Sequence, residues 1–190
     1  MPIVMYLGGN VKEYREKSEK IIAQAISEGR LLCEICLKAL ARHSSYTRGI
    51  KETGEEIEIT VAWCSKCEKW HSLQPDFLLF RKHYSGNEIE GVIIDSATEP
   101  ASNIETEASE PTVRRWIKQV GGRIRQAASL LKYIFGRAGQ AVSEIAVDAG
   151  HCYDELQQIL EMAPQEIKYS GNRLGLANLW LSRNAAAAYI

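Results

Sequence analysis

Long apolar runs are missing from this sequence. No uninterrupted stretch approaches the length needed to cross a bilayer, so a membrane-spanning helix is not expected. The opening from Met1 to Leu7 lacks the basic flank and cleavage pattern of a secretory signal and reads as a short strand. The expected location is therefore cytoplasmic. Also absent are a P-loop, a dinucleotide-binding glycine fingerprint and a Ser-His-Asp set. Gly121-Gly122 and Gly136-x2-Gly139 are too sparse to cradle a phosphate. Residues 140–190 read as short and helical, which leaves no room for an α/β core holding metal ions on three carboxylates. Asp148, Asp154 and Glu155 there lack a strand context. The expectation is a protein that is not an enzyme and takes no small-molecule substrate.

Charge is missing in one sign, then in the other. Residues 85–110 contain Glu88, Glu90, Asp95, Glu99, Glu105, Glu107 and Glu110 without a Lys or Arg. Residues 111–140 contain Arg114, Arg115, Lys118, Arg123, Arg125, Lys132 and Arg137 without an Asp or Glu. The formal net charge of -1 hides this segregation. Either a basic face is left open for a polyanion, or the two segments pack together and neutralise each other.

The chain is rich in paired cysteines. Cys33-Glu34-Ile35-Cys36 and Cys64-Ser65-Lys66-Cys67 are matched Cys-x2-Cys turns, the spacing that aims two thiolates at one point. Between them, Ile57, Ile59, Val61 and Trp63 alternate with Glu56, Glu58, Thr60 and Ala62, as in a strand. Around Gly54 is a turn signal, and a weaker extended stretch surrounds Tyr46 to Arg48. Folding back at Gly54 makes a hairpin that returns the second pair to the first. Disulfides fit poorly, because no signal peptide precedes the pairs and most of the chain can build its own core. The expected arrangement is a zinc ribbon with one structural Zn2+ on Cys33, Cys36, Cys64 and Cys67. Four thiolates would leave no open position for catalysis. His71 lies near enough in sequence to the last thiolates to support the ligands with a hydrogen bond, without being a ligand itself. Cys152 reads as a small, buried apolar residue.

The fold class expected is α+β. An N-terminal zinc-ribbon domain, with its preceding strand and helix, covers residues 1–84, and a helical domain covers 85–190. The first helix spans 10–29, with Val11, Tyr14, Ile21, Ile22 and Ile26 inward and Gly29 at its end. Residues 70–80 read as a turn at Pro75 followed by a docking segment. Ser85 and Glu88 form a capping-box pattern opening a helix with Ile89, Val92 and Ile93 inward. Pro100 opens a short helix to about Glu107, and Ser109 caps another, with Pro111 in its first turn. These three make a helix-turn-helix over about 85–120. Gly121-Gly122 ends or bends the last of them. Further helices are expected to about Phe135, over 140–163 with Ile145, Tyr153, Leu156, Ile159 and Leu160 inward, and from Leu174 to Tyr189.

In the third of these helices, Val113, Ile117 and Val120 face inward, and Thr112, Arg114, Arg115 and Lys118 are the candidate DNA contacts. Arginine can donate in pairs to guanine or grip phosphate, threonine can bond a base edge or phosphate, and lysine can neutralise the backbone. Trp116 reads as a core wedge. Glu105, Glu107 and Glu110 oppose this reading unless they turn away or pair with Arg114 or Arg115.

Tyr14, the two Cys pairs, Arg42-His43-Ser44-Ser45-Tyr46-Thr47-Arg48 and His71-Ser72-Leu73-Gln74-Pro75-Asp76-Phe77-Leu78 together resemble a bacterial family of short, uncharacterised proteins. Its members join a zinc ribbon to a helix-turn-helix and are similar to the N-terminal DNA-binding parts of insertion-sequence transposases. The resemblance covers roughly residues 3–120. It departs at Glu34-Ile35, where a proline is usual, and at Gln74, where an apolar residue is usual. It implies a zinc-dependent, DNA-binding role connected with mobile elements, as a transposon-associated regulator or a transposase-like accessory protein. The partner expected is double-stranded DNA. A protein-interaction adaptor, with a protein partner or a homodimer, is the alternative. Tyr46, Trp63 and Trp70 near Arg42 and Arg48 prompt a weaker third reading, an RNA-binding ribbon.

Overall fold

The computed structural model describes residues 2–137, 151–163 and 167–184. The first strand, β1 (Pro2–Met5), leads into α1 (Val11–Ser27). Gly8 makes that turn at φ 126, and a Cβ there would lie 2.8 Å from the Glu13 carbonyl carbon and the Tyr14 nitrogen. Conformation and space both require glycine at this point. Asn10 caps α1, its Oδ1 accepting from the Glu13 N–H at 3.0 Å. Gly29 ends the turn beyond the helix at φ 64. Tyr14, Ser18, Ile22 and Ala25 form the buried stripe, and Val11, Ile21 and Ile26 flank it half-buried.

The α1 helix rests on a four-stranded sheet of order β1-β4-β3-β2. β2 (Ala41–Ile50) and β3 (Glu55–Cys64) are the expected antiparallel hairpin, with Gly54 in its turn at φ 66. The alternation in β3 holds, but its burial changes face midway. Ile57 and Ile59 are buried on one face, and Thr60, Ala62 and Cys64 on the other. Val61 and Trp63, expected inward, are half-exposed. The reason is uneven cover. Residues 79–83 cross only the hairpin-tip end of the first face, where Lys51 N–H donates to the His83 carbonyl at 2.7 Å.

Residues expected to form a turn and a docking segment make a strand instead, β4 (Lys69–Pro75). The second cysteine turn acts as a hairpin: Cys64 pairs with Lys69 and Ala62 with His71, and Glu68 takes φ 52. β1 then pairs parallel to the free side of β4, from Pro2 opposite Ser72 to Met5 opposite Pro75. Pro75 stands at the strand end, where its missing N–H disrupts least.

The second half is helical: α2 (Gly86–Asp95), α3 (Glu110–Arg137), α4 (Cys152–Glu161) and α5 (Arg173–Arg183). Ser85 caps α2, accepting from the Glu88 N–H at 3.2 Å. The capping box is left half-made, because Glu88 turns to Thr106 Oγ1 and the Glu107 N–H. That reach holds residues 96–109 as an irregular crossing, and the short helix expected from Pro100 is not formed. The helix-turn-helix expected over 85–120 therefore reduces to two helices and a long connection.

The helix end expected as one outcome at Gly121-Gly122 is not formed, and α3 runs through to Arg137. Two mid-helix glycines cost about 1 kcal/mol each relative to alanine. Packing of Val120, Ile124, Ala127, Leu131 and Phe135 against the other helices outweighs that. Tyr153, Leu156, Ile159 and Leu160 of α4 are buried as expected. Ile145 and Asp148, and the stretch from 185 to Tyr189 expected in the last helix, lie outside the described residues.

Apolar packing forms two clusters. One lies between α1 and the sheet, around Leu7, Tyr14, Ile22 and Leu73. The other fills the helical half around Trp116, Ile124, Leu131 and Leu156, and takes in Val4 and Leu79. Polar ties cross between the halves. Buried Asp76 accepts through Oδ2 from the Ser170 N–H at 2.6 Å and the Ser170 hydroxyl at 2.8 Å. The Val4 N–H donates to Ser182 Oγ at 3.1 Å. A Cβ on Gly175 would lie 2.2 Å from the Asp76 carbonyl oxygen, so α5 approaches this corner as closely as glycine allows.

Burial raises the Asp76 carboxyl to about 6, against the hydrogen bonds from Ser170, and Oδ1 has no partner. A carboxyl whose folded pKa is raised binds protons more tightly in the folded state. Its contribution to stability is full below about 4 and falls as pH rises through 6. Comparing wild type with Asp76→Asn by urea unfolding should show wild type losing on the order of 2–3 kcal/mol relative to the variant between pH 4 and 7. A constant difference across that range would contradict the assignment. Separately, Gly122 is exposed, with nothing within 4 Å of a built Cβ. Gly122→Ala should raise stability by about 0.5–1 kcal/mol, read as a shift in the urea midpoint at unchanged slope.

Candidate metal centre and basic face

The first cysteine turn is a closed knuckle. The Cys33 N–H donates to the Lys38 carbonyl and the Leu37 N–H to the Cys33 carbonyl, each at 2.8 Å, with Leu37 at φ 58. Leu32 bridges Ala39 at its base. The second knuckle is the turn between β3 and β4. Both place their sulfurs on the α1 side of the sheet. The Sγ atoms of Cys33, Cys36, Cys64 and Cys67 all lie within 4.8 Å of one another, and Cys36 Sγ is 3.5 Å from Cys64 Sγ. Sulfurs at the corners of a Zn–S tetrahedron stand about 3.8 Å apart, whereas a disulfide requires about 2.0 Å. All five cysteines are free.

The donor set fits one metal ion. Cys33 and Cys64 are buried, and Cys36 and Cys67 half-buried. The backbone N–H groups of Cys67 and Lys66 hold the Cys64 thiol down to about 7 against the effect of burial. Hydrogen bonding with the Cys36 thiol, together with burial and Cys33, pushes Cys67 up to about 12. Four thiols this close cannot all ionise without a cation among them. Thiolate-directed N–H groups and a closed tetrathiol set suit a structural site better than a catalytic one.

His71 lies opposite Ala62, on the same sheet face as Cys64. It is fully buried, and neither ring nitrogen has a hydrogen-bond partner. The hydrogen bond expected from it to the cysteine cluster is not made, and burial pushes its pKa down. Cys152 is half-buried against the helical core, where burial pushes its thiol up.

The candidate DNA contacts do not form one surface. Arg114 is spent locally, its Nε and Nη2 donating to Glu110 Oε1 at 2.8 and 2.6 Å. Pairing with Glu110 was an alternative open to Arg114 or Arg115, and Arg114 takes it. Arg115 is exposed, its Nη2 3.4 Å from Thr112 Oγ1. Lys118 is exposed on another side of α3, beside Gly122 and Arg125. Thr112 and Arg115 instead border a cleft with Lys51, Lys82 and Arg123. Those three cations were missed. The signals for them were the basic, aromatic string Phe80-Arg81-Lys82-His83-Tyr84 and the four-residue spacing of Arg115, Gln119 and Arg123. Trp116 is buried in the helical core, as expected.

Arg48, prompted earlier as a nucleic-acid contact, is buried instead. It donates to Gln74 Oε1 at 2.7 Å, to the Leu79 carbonyl at 2.6 Å and to the Lys82 carbonyl. Gln74, where an apolar residue is usual in the family the sequence resembles, thus serves as its acceptor. Trp63, Trp70 and His43 cluster on one sheet face, the Trp63 and Trp70 rings tilted with centroids 4.3 Å apart and His43 edge-on to Trp70.

Residues 33–116 match a family described as a domain of unknown function (DUF6431). The matched span holds the four clustered cysteines and reaches Trp116. No curated protein and no solved structure matches the chain.

Elemental analysis of the purified chain should find about one equivalent of bound metal per chain, lost in Cys64→Ser and in Cys33→Ser. Wild-type protein purified without metal, with its thiols reduced and its fold intact by circular dichroism, would overturn the assignment.

Proposed function

We propose that this chain is a non-enzymatic, zinc-dependent protein that binds double-stranded DNA, with the cysteine centre bracing the sheet and α3 meeting the duplex. The observation that carries the reading is the charge of α3. From Pro111 to Arg137 the helix contains no acidic residue, and Arg115, Lys118, Arg123 and Arg125 are exposed on it. None of the described ion pairs joins an acidic residue of 85–109 to these cations, which lie on two sides of the helix. Glu88 turns to Thr106 and Glu107, Glu90 accepts from the Tyr153 hydroxyl and the Leu174 N–H, and Glu110 takes Arg114 alone. A continuous basic helix can lie along a groove or across phosphates without a helix-turn-helix. The setting suggested by the family resemblance is that of a transposon-associated regulator or transposase-like accessory protein in the cytoplasm.

One observation favours the adaptor alternative. Around the first knuckle, Leu32, Ile35 and Leu37 are 43%, 55% and 67% exposed. Beside them a groove of about 410 Å³ is lined by Ile3, Ile21, Ala25, Leu37 and Leu179. A protein partner would cover such a patch.

Fluorescence anisotropy against a duplex, repeated across salt, separates the two. DNA binding predicts a log–log salt slope of several units, and about tenfold weaker binding by the Arg114→Ala, Arg115→Ala double variant. Most of that loss should come from Arg115, because Arg114 is already paired. Absence of a salt slope, or unchanged affinity in the double variant, would remove the DNA reading. A stable complex with another protein, free of nucleic acid, would favour the adaptor.

A further inference from the structure

The cleft between α3 and residues 80–84 is built like an anion site. It has a volume of about 380 Å³, and Lys51, Arg81, Lys82, Arg115 and Arg123 all line it, with no carboxylate in the lining. None of the described ion pairs involves any of these five residues. Lys82 Nζ is held at 3.1 Å by Gln119 Oε1, a neutral acceptor that leaves its charge uncompensated. Burial pushes the Lys82 ammonium pKa down, and the guanidinium groups of Arg123 and Arg115 push it further. Like charges crowded without a counter-ion raise the free energy of the empty cleft, and an anion relieves it.

The framework behind these side chains is rigid. Buried Arg48 grips the carbonyls of Leu79 and Lys82 from below, and the Lys51 N–H holds the His83 carbonyl. Arg81 is set at φ 59, a conformation that nothing but surrounding contacts sustains in a non-glycine residue. Tyr84 stands edge-on to buried Trp116 with ring centroids 4.8 Å apart, giving one wall an immobile aromatic lining. An ordinary solvated basic face has mobile lysines and interspersed carboxylates. This cleft has a hydrogen-bonded loop, a lysine held by Gln119, and no carboxylate in its lining.

We infer that this cleft is a phosphate-binding site, lined by Lys82, Arg115 and Arg123, for phosphoryl groups carrying two or more negative charges in all. Two sources share that chemistry: adjacent phosphates of a nucleic-acid backbone, and the phosphate chain of a free nucleotide. The first would deepen the DNA-binding reading and rests on it; the second stands without it.

The test uses the full chain with its metal and pyrophosphate as probe, in calorimetric titrations at low salt. Wild type should bind, and a Lys82→Gln, Arg123→Gln double variant should bind at least about tenfold more weakly, given the strength of charge-assisted contacts. Lys20→Gln, at an exposed position on α1 and outside the cleft, should match wild type within about twofold. Circular dichroism and metal content check the variants, and Arg123→Gln alone, at an exposed position, serves if the double variant misfolds. Adenosine triphosphate and a duplex titrated in parallel identify the source. Selective loss of duplex affinity with a smaller salt slope in the cleft variant assigns the nucleic-acid backbone, and selective loss of triphosphate binding assigns a nucleotide. Failure of wild type to bind pyrophosphate overturns the site even if duplex is bound. So does equal weakening by Lys20→Gln, which would mean diffuse charge. Pyrophosphate binding without duplex binding sinks the DNA reading and leaves the cleft standing.

Discussion

Strand β3 ends at Cys64 and β4 begins at Lys69, and the few residues between must reverse the chain while aiming two sulfurs at the opposite knuckle. That double demand governs the N-terminal half. The reversal puts β4 in the middle of the sheet, where β1 can add alongside it. The convergence of four thiols ties residues 33–36 to the far end of the β2–β3 hairpin. Without a cation, four crowded thiols at that corner would offer weak hydrogen bonds and mutual repulsion on ionisation. With one, the corner becomes a rigid point from which the sheet extends.

A second fixed point lies at the other end of the same sheet. Arg48 is a buried cation without a carboxylate, satisfied by an amide oxygen and two backbone carbonyls. Burial pushes its pKa down, yet guanidinium remains charged in proteins. Its planar fork fits several acceptors at once, which an ammonium could not do as well. Through it the hairpin positions the segment leading into α2, and with it Lys82. The cysteine corner and the arginine clasp bracket the sheet, and the helical half is joined to it by Asp76, Ser170 and the close approach at Gly175.

The proposed role follows from how the helices use their charges. Glu88 and Glu90 of α2 are engaged by hydroxyls and backbone N–H groups, and none of the described ion pairs joins an acidic residue of 85–109 to an arginine of α3. The basic face thereby stays open on the side where residues 80–84 pass.

Patterns of local origin were legible in the chain. Two Cys-x2-Cys turns, one hairpin around Gly54, the Ser85 cap and the α1 stripe each depend on spacing within a few residues, and each is present in the fold. What was misread depended on distant partners. Glu88 abandons its capping box for Thr106, and that contact decides that residues 100–107 cross without a helix. Gly121-Gly122 reads as a break until helices packed on α3 outweigh the propensity. Gln74 reads as a departure until Arg48 arrives beside it from another strand. The sequence by itself thus determined the cysteine quartet and the hairpin, because their geometry is local. Which cations stay free, and where they gather, was decided by tertiary structure, because a charge is neutralised or exposed by whatever packs against it.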